Sequence, residues 1–281
     1  PTINIHRHPL GGRHFECFSE DPFLTGKIAI EYVKGVQSKN IAACLKHFVG
    51  NDTEFERYTV SSNIDEKTLR EIYLLPFEMA IKEANAKVVM SAYNKLNNIY
   101  CSSHENLLIS ILKDEWRFDG YVVSDWGAAR DTVENAIGGL DLEMPGPAKS
   151  WGENLITAIS DKEVSEDLIN DKVKRILNVA SFCKRFENPI RKSERSNDSK
   201  LKRKLLKEAA QEGMVLLKND GILPMKKDIK SIGIIGPNAE KAQIIGGGSA
   251  TLVPYHESHP VGSFQNNFSE IPQIILKPHC R

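Results

Sequence analysis

The chain has no excess charge of either sign, few cysteines and no long apolar run. Lys and Arg together number 37, as do Asp and Glu, so the formal net charge is zero. Because no long basic run is present either, nothing favours nucleic acid as a partner. No apolar stretch approaches the roughly 18 residues that indicate a membrane span. The five cysteines are scattered and form no CxxC pair, which argues against a zinc site and a dense disulfide framework.

The first ten residues, PTINIHRHPL, do not resemble a signal peptide, because they lack a charged start followed by an apolar core. They also lack an initiator Met, so a signal ahead of them is compatible with the sequence. The compartment therefore stays open between the cytoplasm and secretion. The oligomeric state is open as well, a homo-oligomer included.

Apolar runs alternate with helical patterns over the first 184 residues. Strands are predicted at residues 2–6, 42–49, 87–93, 121–124 and 140–144, and helices at residues 25–37, 65–84, 151–160 and 167–183, with one more capped by Ser103. This order implies a parallel sheet with helical crossovers, and we predict a (β/α)₈ barrel in preference to an open doubly wound sheet. A barrel needs eight strands and the pattern supplies about five. The sequence therefore predicts a fragment that lacks about three strand–helix units upstream.

A change of composition follows this region. Residues 185–200 are polar and charged, with few large apolar groups, as in a linker between domains. Residues 201–281 begin with a helical pattern at 201–213, continue with strand-like runs at 215–218 and 231–236, and lose clear periodicity after about residue 262. We interpret them as the start of a second α/β domain.

Unusual polar residues stand at the ends of the predicted barrel strands. They are Lys46 and His47, Tyr93 and Asn94, Asp125 and Trp126, and Glu143. In a (β/α)₈ barrel the carboxyl ends of the strands carry the catalytic groups, so their concentration there predicts a site.

Each candidate has a structural alternative. Lys46 and His47 suit recognition of hydroxyl groups, or else the lysine reaches solvent and the histidine is bonded in the core. Asp125 is either a catalytic group or the cap of the following helix. Trp126 offers a flat apolar face to a sugar ring, or it belongs to the core.

Two further features, each next to glycines, also have more than one interpretation. Arg13, after two glycines, can fork onto a substrate or form a salt bridge with Glu16, Glu20 or Asp21. The run IIGGGSAT resembles a phosphate-cradling loop but lacks the GK[ST] ending, so a flexible turn is the other interpretation. If it is a phosphate loop, the chain is an α/β phosphate- or nucleotide-binding protein.

Six ordered segments together make the chain resemble glycoside hydrolase family 3, in its β-glucosidase branch. They are GGRHFECFSEDP (11–22), KHFVGND (46–52), SAYNKLNN (91–98), SDWG (124–127), GLDLEMPG (139–146) and EGMVLLKNDGILP (212–224). The resemblance covers residues 1 to about 261. It implies α/β architecture: a partial (β/α)₈ TIM-type barrel over residues 1–184, a linker, and the start of a second α/β sandwich domain over residues 201–281.

The resemblance also implies roles by position. Asp125 matches the catalytic nucleophile of a retaining glycosidase, which forms a covalent glycosyl-enzyme. Five other positions match groups that surround the sugar: Arg13, Lys46, His47, Tyr93 and, with a weaker match, Arg57. Trp126 is expected to line the pocket. The expected partners are small β-glucosides or oligosaccharides, with no nucleic acid and no membrane, and neither a cofactor nor a metal is expected.

The catalytic acid/base is not assigned, because the family places it in a later part of the second domain. The His–Asp pair of the N-acetylglucosaminidase branch has no counterpart in NDTEFERY, which argues against that branch. The alternatives are an inactive carbohydrate-binding fragment and β-xylosidase-type specificity.

Overall fold

The computed structural model describes residues 1–190, 193, 195–226, 229–268 and 273–277. These residues form two compact units, 1–191 and 192–281, and each is described by itself. No helix in the described ranges is both long and apolar enough to cross a membrane.

The described residues form eight β-strands and eight α-helices. The strands are β1 (Cys44–Phe48), β2 (Ser61–Ser62), β3 (Val88–Ser91), β4 (Lys95–Leu96), β5 (Ile99–Tyr100), β6 (Tyr121–Ser124), β7 (Ser231–Ile235) and β8 (Gln273–Lys277). The α-helices are α1 (Pro22–Gln37), α2 (Glu66–Thr68), α3 (Leu75–Ala84), α4 (Val133–Ile137), α5 (Glu153–Ser160), α6 (Glu166–Phe182), α7 (Lys200–Glu212) and α8 (Pro260–Asn267). Two π-helical segments, Leu69–Leu74 and Asn106–Glu115, accompany them.

The central sheet of the first unit is parallel, as predicted. Its strand order is β1-β3-β6. A bridge from Thr2 to Lys46 extends the sheet on one side, and a bridge from Val123 to Leu142 extends it on the other. Five chain segments therefore lie side by side in sequence order, and their carboxyl ends share one edge.

The two outer segments are shorter than predicted. Residues 2–6 and 140–144 each contribute one bridge instead of a strand. Side chains take over the missing ladder bonds: Asn4 bonds the backbone of His47 in both directions, and the Asp141 carboxylate accepts the N–H of Val122 at 2.7 Å. A polar side chain that competes for backbone groups in this way interrupts a regular strand.

The core lies between the sheet and the surrounding helices. Phe48, at the end of β1, meets the rings of Phe77 and Trp116 edge to face, with centroids 5.0 and 6.0 Å away. Helix α1 approaches α3 closely at Gly26, where a Cβ atom would lie 2.5 Å from the sulfur of Met79. A side chain at this position would therefore require the flexible Met79 side chain to move.

Several helix boundaries differ from the prediction for identifiable reasons. Helix α1 begins at Pro22 because Asp21 caps it, accepting from the N–H groups of Phe23 and Leu24. Asp65 caps α2 as predicted, but Leu69–Leu74 is π-helical immediately before Pro76. Proline has no N–H for the helical ladder, which loosens the helix at this point.

The helix predicted to be capped by Ser103 begins later, at Asn106. The Ser103 hydroxyl donates to the carbonyl of Tyr100, and the Nδ1 atom of His104 accepts the N–H of Leu107 instead. Helices α5 and α6 lie within about two residues of their predicted bounds.

In the second unit, β7 pairs in parallel with β8. The predicted strand at 215–218 is wrong: that segment is irregular and exposed, with no strand partner in the described part of the unit. The region after residue 262 contains the end of α8 and the whole of β8, which the lack of periodicity did not reveal, while residues 269–272 and 278–281 lie outside the described ranges. Gly247 and Gly248 adopt positive φ angles of 88° and 65°, which supports the turn interpretation of the glycine run.

Candidate active site

The carboxyl edge of the parallel sheet brings together predicted site residues from three strands. His47 lies near the end of β1, Tyr93 follows β3, and Asp125 follows β6 directly. The N–H of Asp125 donates to the carbonyl of Ser91 at 3.1 Å, which ties the end of β6 to the end of β3. The Nε2 atom of His47 lies 3.5 Å from Oδ2 of Asp125.

The two oxygens of the Asp125 carboxylate differ in their surroundings. Oδ1 accepts the N–H of Trp126 at 2.8 Å, whereas buried Oδ2 has no hydrogen-bond partner among the described residues. The residue as a whole is only 8% exposed. A buried carboxylate oxygen without a donor is costly in a purely structural role, so Oδ2 is available to a ligand. The capping alternative is not favoured, because the next helix, α4, begins only at Val133.

His47 is buried and uncharged. Burial lowers the pKa of its imidazole well below the ordinary value, and the positive charges of Arg13 and Lys46 add to this effect. Its Nδ1 atom lies 3.2 Å from Oδ1 of Asn4. The ring therefore faces Asp125 as a neutral group in a fixed position.

A carboxylate holds the two predicted sugar-binding cations at the sheet edge. Glu16 accepts from Nε of Arg13 at 2.5 Å, and its other oxygen lies 3.3 Å from Nζ of Lys46. Thr2 donates to the same carboxylate at 2.7 Å. Burial alone would raise the pKa of Glu16, but the bonds from Thr2 and Arg13 and the charge of Lys46 hold it below its ordinary value.

The Glu16 contacts leave binding capacity on both cations. Only Nε of Arg13 is occupied, so its two terminal nitrogens have no protein partner among the described residues. Lys46 has three ammonium hydrogens and one carboxylate neighbour. Of the partners that the sequence left open for Arg13, the structure selects Glu16.

Arg57 reaches the site through aromatic rings. Its guanidinium lies 4.9 Å from the ring centroids of both Tyr58 and Tyr93, and it donates to Glu54 at 2.6 Å. The Tyr93 hydroxyl in turn donates to the carbonyl of Trp126 at 3.0 Å. Burial and the neighbouring Asp125 raise the pKa of Tyr93, so its hydroxyl remains a donor.

Trp126 does not belong to the core. It is 51% exposed, although its backbone is fixed by the bonds to Asp125 and Tyr93. A half-exposed indole beside a buried carboxylate presents a flat apolar face to whatever binds there.

Glu143, in contrast, anchors a loop. Its carboxylate accepts the backbone N–H groups of Lys149, Ser150 and Trp151 at 2.9, 3.0 and 2.7 Å. All of these bonds hold the segment that follows the outermost sheet position. We therefore assign Glu143 a structural role.

The described residues contain no group of three or more His, Cys, Asp or Glu side chains that could hold a metal ion. The four described cysteines are free thiols. Burial raises the pKa of Cys17 to about 12, which makes that thiol unreactive at neutral pH.

Comparison with known proteins identifies the family. Residues 1–179 match the Glycosyl hydrolase family 3 N terminal domain, and residues 214–274 match the Glycosyl hydrolase family 3 C-terminal domain. The chain belongs to glycoside hydrolase family 3. The resemblance found in the sequence is thereby confirmed.

Relatives within family 3 are β-glucosidases by name. A β-glucosidase of Rhizobium radiobacter is 48% identical over 262 residues, which cover 93% of this chain and 32% of the relative. The thermostable β-glucosidase B of Acetivibrio thermocellus is 46% identical over 255 residues, covering 90% of this chain and 33% of the relative. The chain therefore spans about a third of the length of these family 3 members.

Solved family 3 structures confirm the fold class. The β-glucosidase of Kluyveromyces marxianus in complex with glucose matches with a TM-score of 0.92 and 39% identity, over 100% of this chain and 35% of that one. The β-glucosidase 3B of Thermotoga neapolitana in complex with α-D-glucose matches with a TM-score of 0.87 and 38% identity, over 97% of this chain and 38% of that one. The first unit is accordingly a partial TIM-type domain of α/β architecture.

Two residues of the candidate site were not singled out by the sequence. Asn4 could have been noticed, because asparagine is disfavoured inside strands and yet stands in the middle of the strand-like TINIH. The sequence suggested Glu16 only as a structural partner of Arg13. The spacing of three residues between them was the signal that could have placed Glu16 at the site.

Proposed function

We propose that residues 1–191 carry the nucleophile side of the sugar-binding subsite of a retaining β-glucosidase, with Asp125 as the nucleophile. The single observation that carries the proposal is buried Oδ2 of Asp125, which accepts no hydrogen bond from the described residues and faces neutral His47 at 3.5 Å. A nucleophile needs an oxygen that is both held in place and not already hydrogen-bonded, and Oδ1 supplies the positioning through Trp126.

The proposed reaction runs in two displacements. Asp125 attacks the anomeric carbon, the glycosidic bond breaks, and a carboxylic acid that is not assigned in this chain donates a proton to the leaving oxygen. Water then attacks the glycosyl-enzyme, that same group takes up the proton of the water, and the sugar leaves while Asp125 is released. Arg13 and Lys46 donate to sugar hydroxyls, and the face of Trp126 packs against the ring.

The preference for glucosides is supported by the relatives. The two described above are named β-glucosidases, and the Kluyveromyces and Thermotoga structures contain glucose. We propose terminal β-linked glucose in small β-glucosides or oligosaccharides as the substrate class.

The domain assignment is part of the proposal. Residues 1–184 form part of the barrel domain, 185–200 the linker, and 201–281 part of the second α/β sandwich domain. Support comes from the division into compact units after residue 191, which lies inside the linker. The two family matches, 1–179 and 214–274, lie on either side of it.

The decisive test replaces the nucleophile in the full-length parent enzyme. Asp125→Asn should lower the turnover of an aryl β-glucoside on the order of a thousandfold or more, because no covalent intermediate can form. Asp119→Asn is the matched control, since Asp119 is exposed and forms an ion pair with Lys87 away from the proposed site. Retained turnover in Asp125→Asn would contradict the assignment.

Azide provides a sharper readout. In Asp125→Ala the side chain leaves a gap that azide can fill, and attack from the nucleophile side should give an α-glucosyl azide. A β-configured product, or no rescue while the aryl glucoside is still hydrolysed, would exclude Asp125 as the nucleophile.

The 281-residue chain should be assayed alongside the parent. We expect little or no turnover from it, because no acid/base is assigned within it. Turnover equal to that of the parent would refute this expectation. Sugar binding in calorimetry without hydrolysis by the parent would favour a carbohydrate-binding protein, and faster turnover of β-xylosides would change the substrate class.

A further inference from the structure

Within the described part of the chain, the Asn4 side chain makes three hydrogen bonds, all with His47. The backbone N–H of His47 donates to Oδ1 of Asn4 at 2.8 Å, and Nδ2 of Asn4 donates to the carbonyl of His47 at 2.9 Å. The Nδ1 atom of the imidazole lies 3.2 Å from the same Oδ1. Both residues are buried, so no solvent competes for these groups.

The two backbone bonds determine which way the Asn4 amide faces. If the amide were turned over, its oxygen would oppose the His47 carbonyl and its NH₂ group would oppose the His47 N–H. Both bonds would then be lost inside the core, where unpaired polar groups are costly. Oδ1 therefore faces the imidazole, and because an amide oxygen only accepts, the hydrogen must be on Nδ1.

The charge of His47 then determines the state of its other nitrogen. Burial opposes protonation, as do the charges of Arg13, Lys46 and Arg57, and Asp125 is the acidic group that faces the ring. A neutral imidazole carries one hydrogen, which Asn4 holds on Nδ1. Nε2 is consequently an acceptor, and it faces another acceptor, Oδ2 of Asp125.

We infer that Asn4 is a positioning residue that fixes His47 in its Nδ1–H form, so that Nε2 accepts a hydrogen bond from a sugar hydroxyl and donates none to Asp125. A hydrogen bond from His47 would draw charge from the attacking oxygen and weaken it as a nucleophile. Asn4 prevents that bond from a distance, without touching the substrate. The role in catalysis rests on the proposed function, whereas the protonation pattern of His47 does not.

Nuclear magnetic resonance tests the protonation pattern directly. The 281-residue chain is labelled with ¹⁵N-histidine, and His47→Gln identifies the signals of His47 by their disappearance. Long-range ¹H–¹⁵N spectra at neutral pH should show hydrogen on Nδ1 and none on Nε2. Hydrogen on Nε2 in the unaltered chain would overturn the inference, and this measurement needs no folded variant of Asn4.

Two substitutions and a matched control test the part played by Asn4. Asn4→Asp keeps the accepting oxygen and adds a negative charge, so the titration of His47 should move to higher pH. Asn4→Ser replaces the amide oxygen by a hydroxyl on a shorter side chain, which can donate as well as accept, so hydrogen should appear on Nε2 in part of the molecules. Asn97→Asp is the control, because Asn97 makes the same pair of bonds to the backbone of Ile64, at 2.8 and 2.9 Å, without a histidine.

The outcomes separate this inference from the proposed function. If Asn4→Asp moves the titration of His47 no further than Asn97→Asp does, Asn4 does not control the ring. In the parent enzyme, Asn4→Ser should lower kcat/KM for an aryl β-glucoside about tenfold and alter its pH profile. An Nδ1–H ring in a parent that hydrolyses no glycoside would refute the function and leave the inference standing.

Discussion

A buried ion pair locks the position of the strand that carries Asp125. Nζ of Lys113 lies 2.7 Å from Oδ1 of Asp141 and also donates to the carbonyl of Gly139 at 2.7 Å. The other oxygen of Asp141 accepts the N–H of Val122 in β6. Substitution of Lys113 by Met would therefore remove the partner of a carboxylate that connects a helix, β6 and the outermost sheet segment.

The magnitude follows from burial. The side chain of Asp141 is fully buried and that of Lys113 is 7% exposed, so neither charge can turn to water. Burial lowers the pKa of Lys113, while the attraction of Asp141 opposes this shift. Breaking such a pair by removing one partner costs about 3–5 kcal/mol, because the remaining charge stays buried. We expect Lys113→Met to reduce the free energy of unfolding by about that amount.

The assay is urea unfolding, monitored by far-ultraviolet circular dichroism. The dependence of the free energy of unfolding on urea concentration should have the same slope in all variants. Lys27→Met is the matched control, since it breaks the exposed pair with Glu83 at 3.0 Å and should cost less than about 1 kcal/mol. The double variant Lys113→Met with Asp141→Leu should regain only part of the loss, because no lone charge remains but the N–H of Val122 loses its acceptor. A loss in Lys113→Met no larger than that of the control would refute the reasoning.

Three further predictions concern other buried charges. Burial raises the pKa of Asp52 from 3.8 to about 6, so the ionised carboxylate destabilises the fold increasingly as the pH rises through that range. Asp52→Asn should therefore stabilise the fold by about 2–3 kcal/mol at pH 7.5 but not at pH 4. Burial lowers the pKa of Lys172 from 10.5 to about 8, so Lys172→Met should stabilise the fold by about 2–3 kcal/mol at pH 6, with the gain fading above pH 8 and lost near pH 10.5. For either variant, a stability gain in urea unfolding that is the same at low and at high pH would contradict the prediction. Glu143→Gln should lower the free energy of unfolding by about 2 kcal/mol and speed proteolysis at residues 145–151, because an amide cannot accept all three N–H groups of the loop. An unchanged cleavage rate would argue against the anchoring role.

Much of the fold could be predicted from local sequence patterns. Near-continuous apolar runs at β1, β3 and β6 were sufficient to predict a parallel sheet, because a strand buried on both faces has no polar alternation. Asp65, with a helical pattern after it, was sufficient to predict a helix start. The strand at 215–218 failed for the opposite reason: β propensity does not supply a partner strand, and pairing is a tertiary event.

The edges of the sheet were harder to predict from the sequence. Residues 2–6 have the composition of a strand, yet only Thr2 pairs, because the Asn4 amide occupies the backbone of His47. No sequence pattern announces a bond between residues 43 positions apart. The same holds at the other edge, where Asp141 replaces a ladder bond to Val122.

For the site, the sequence by itself determined the membership of the family and the identity of its polar residues. Ordered motifs specify which side chains stand at successive strand ends, and Asp125 and His47 were found in that way. Only the tertiary structure decided how those side chains interact. One oxygen of Asp125 is held and the other accepts no hydrogen bond from the described residues, and Glu16 contacts both Arg13 and Lys46. The physical reason is that hydrogen bonds and charge effects act over a few ångströms in space, and a chain sets those distances only when it folds.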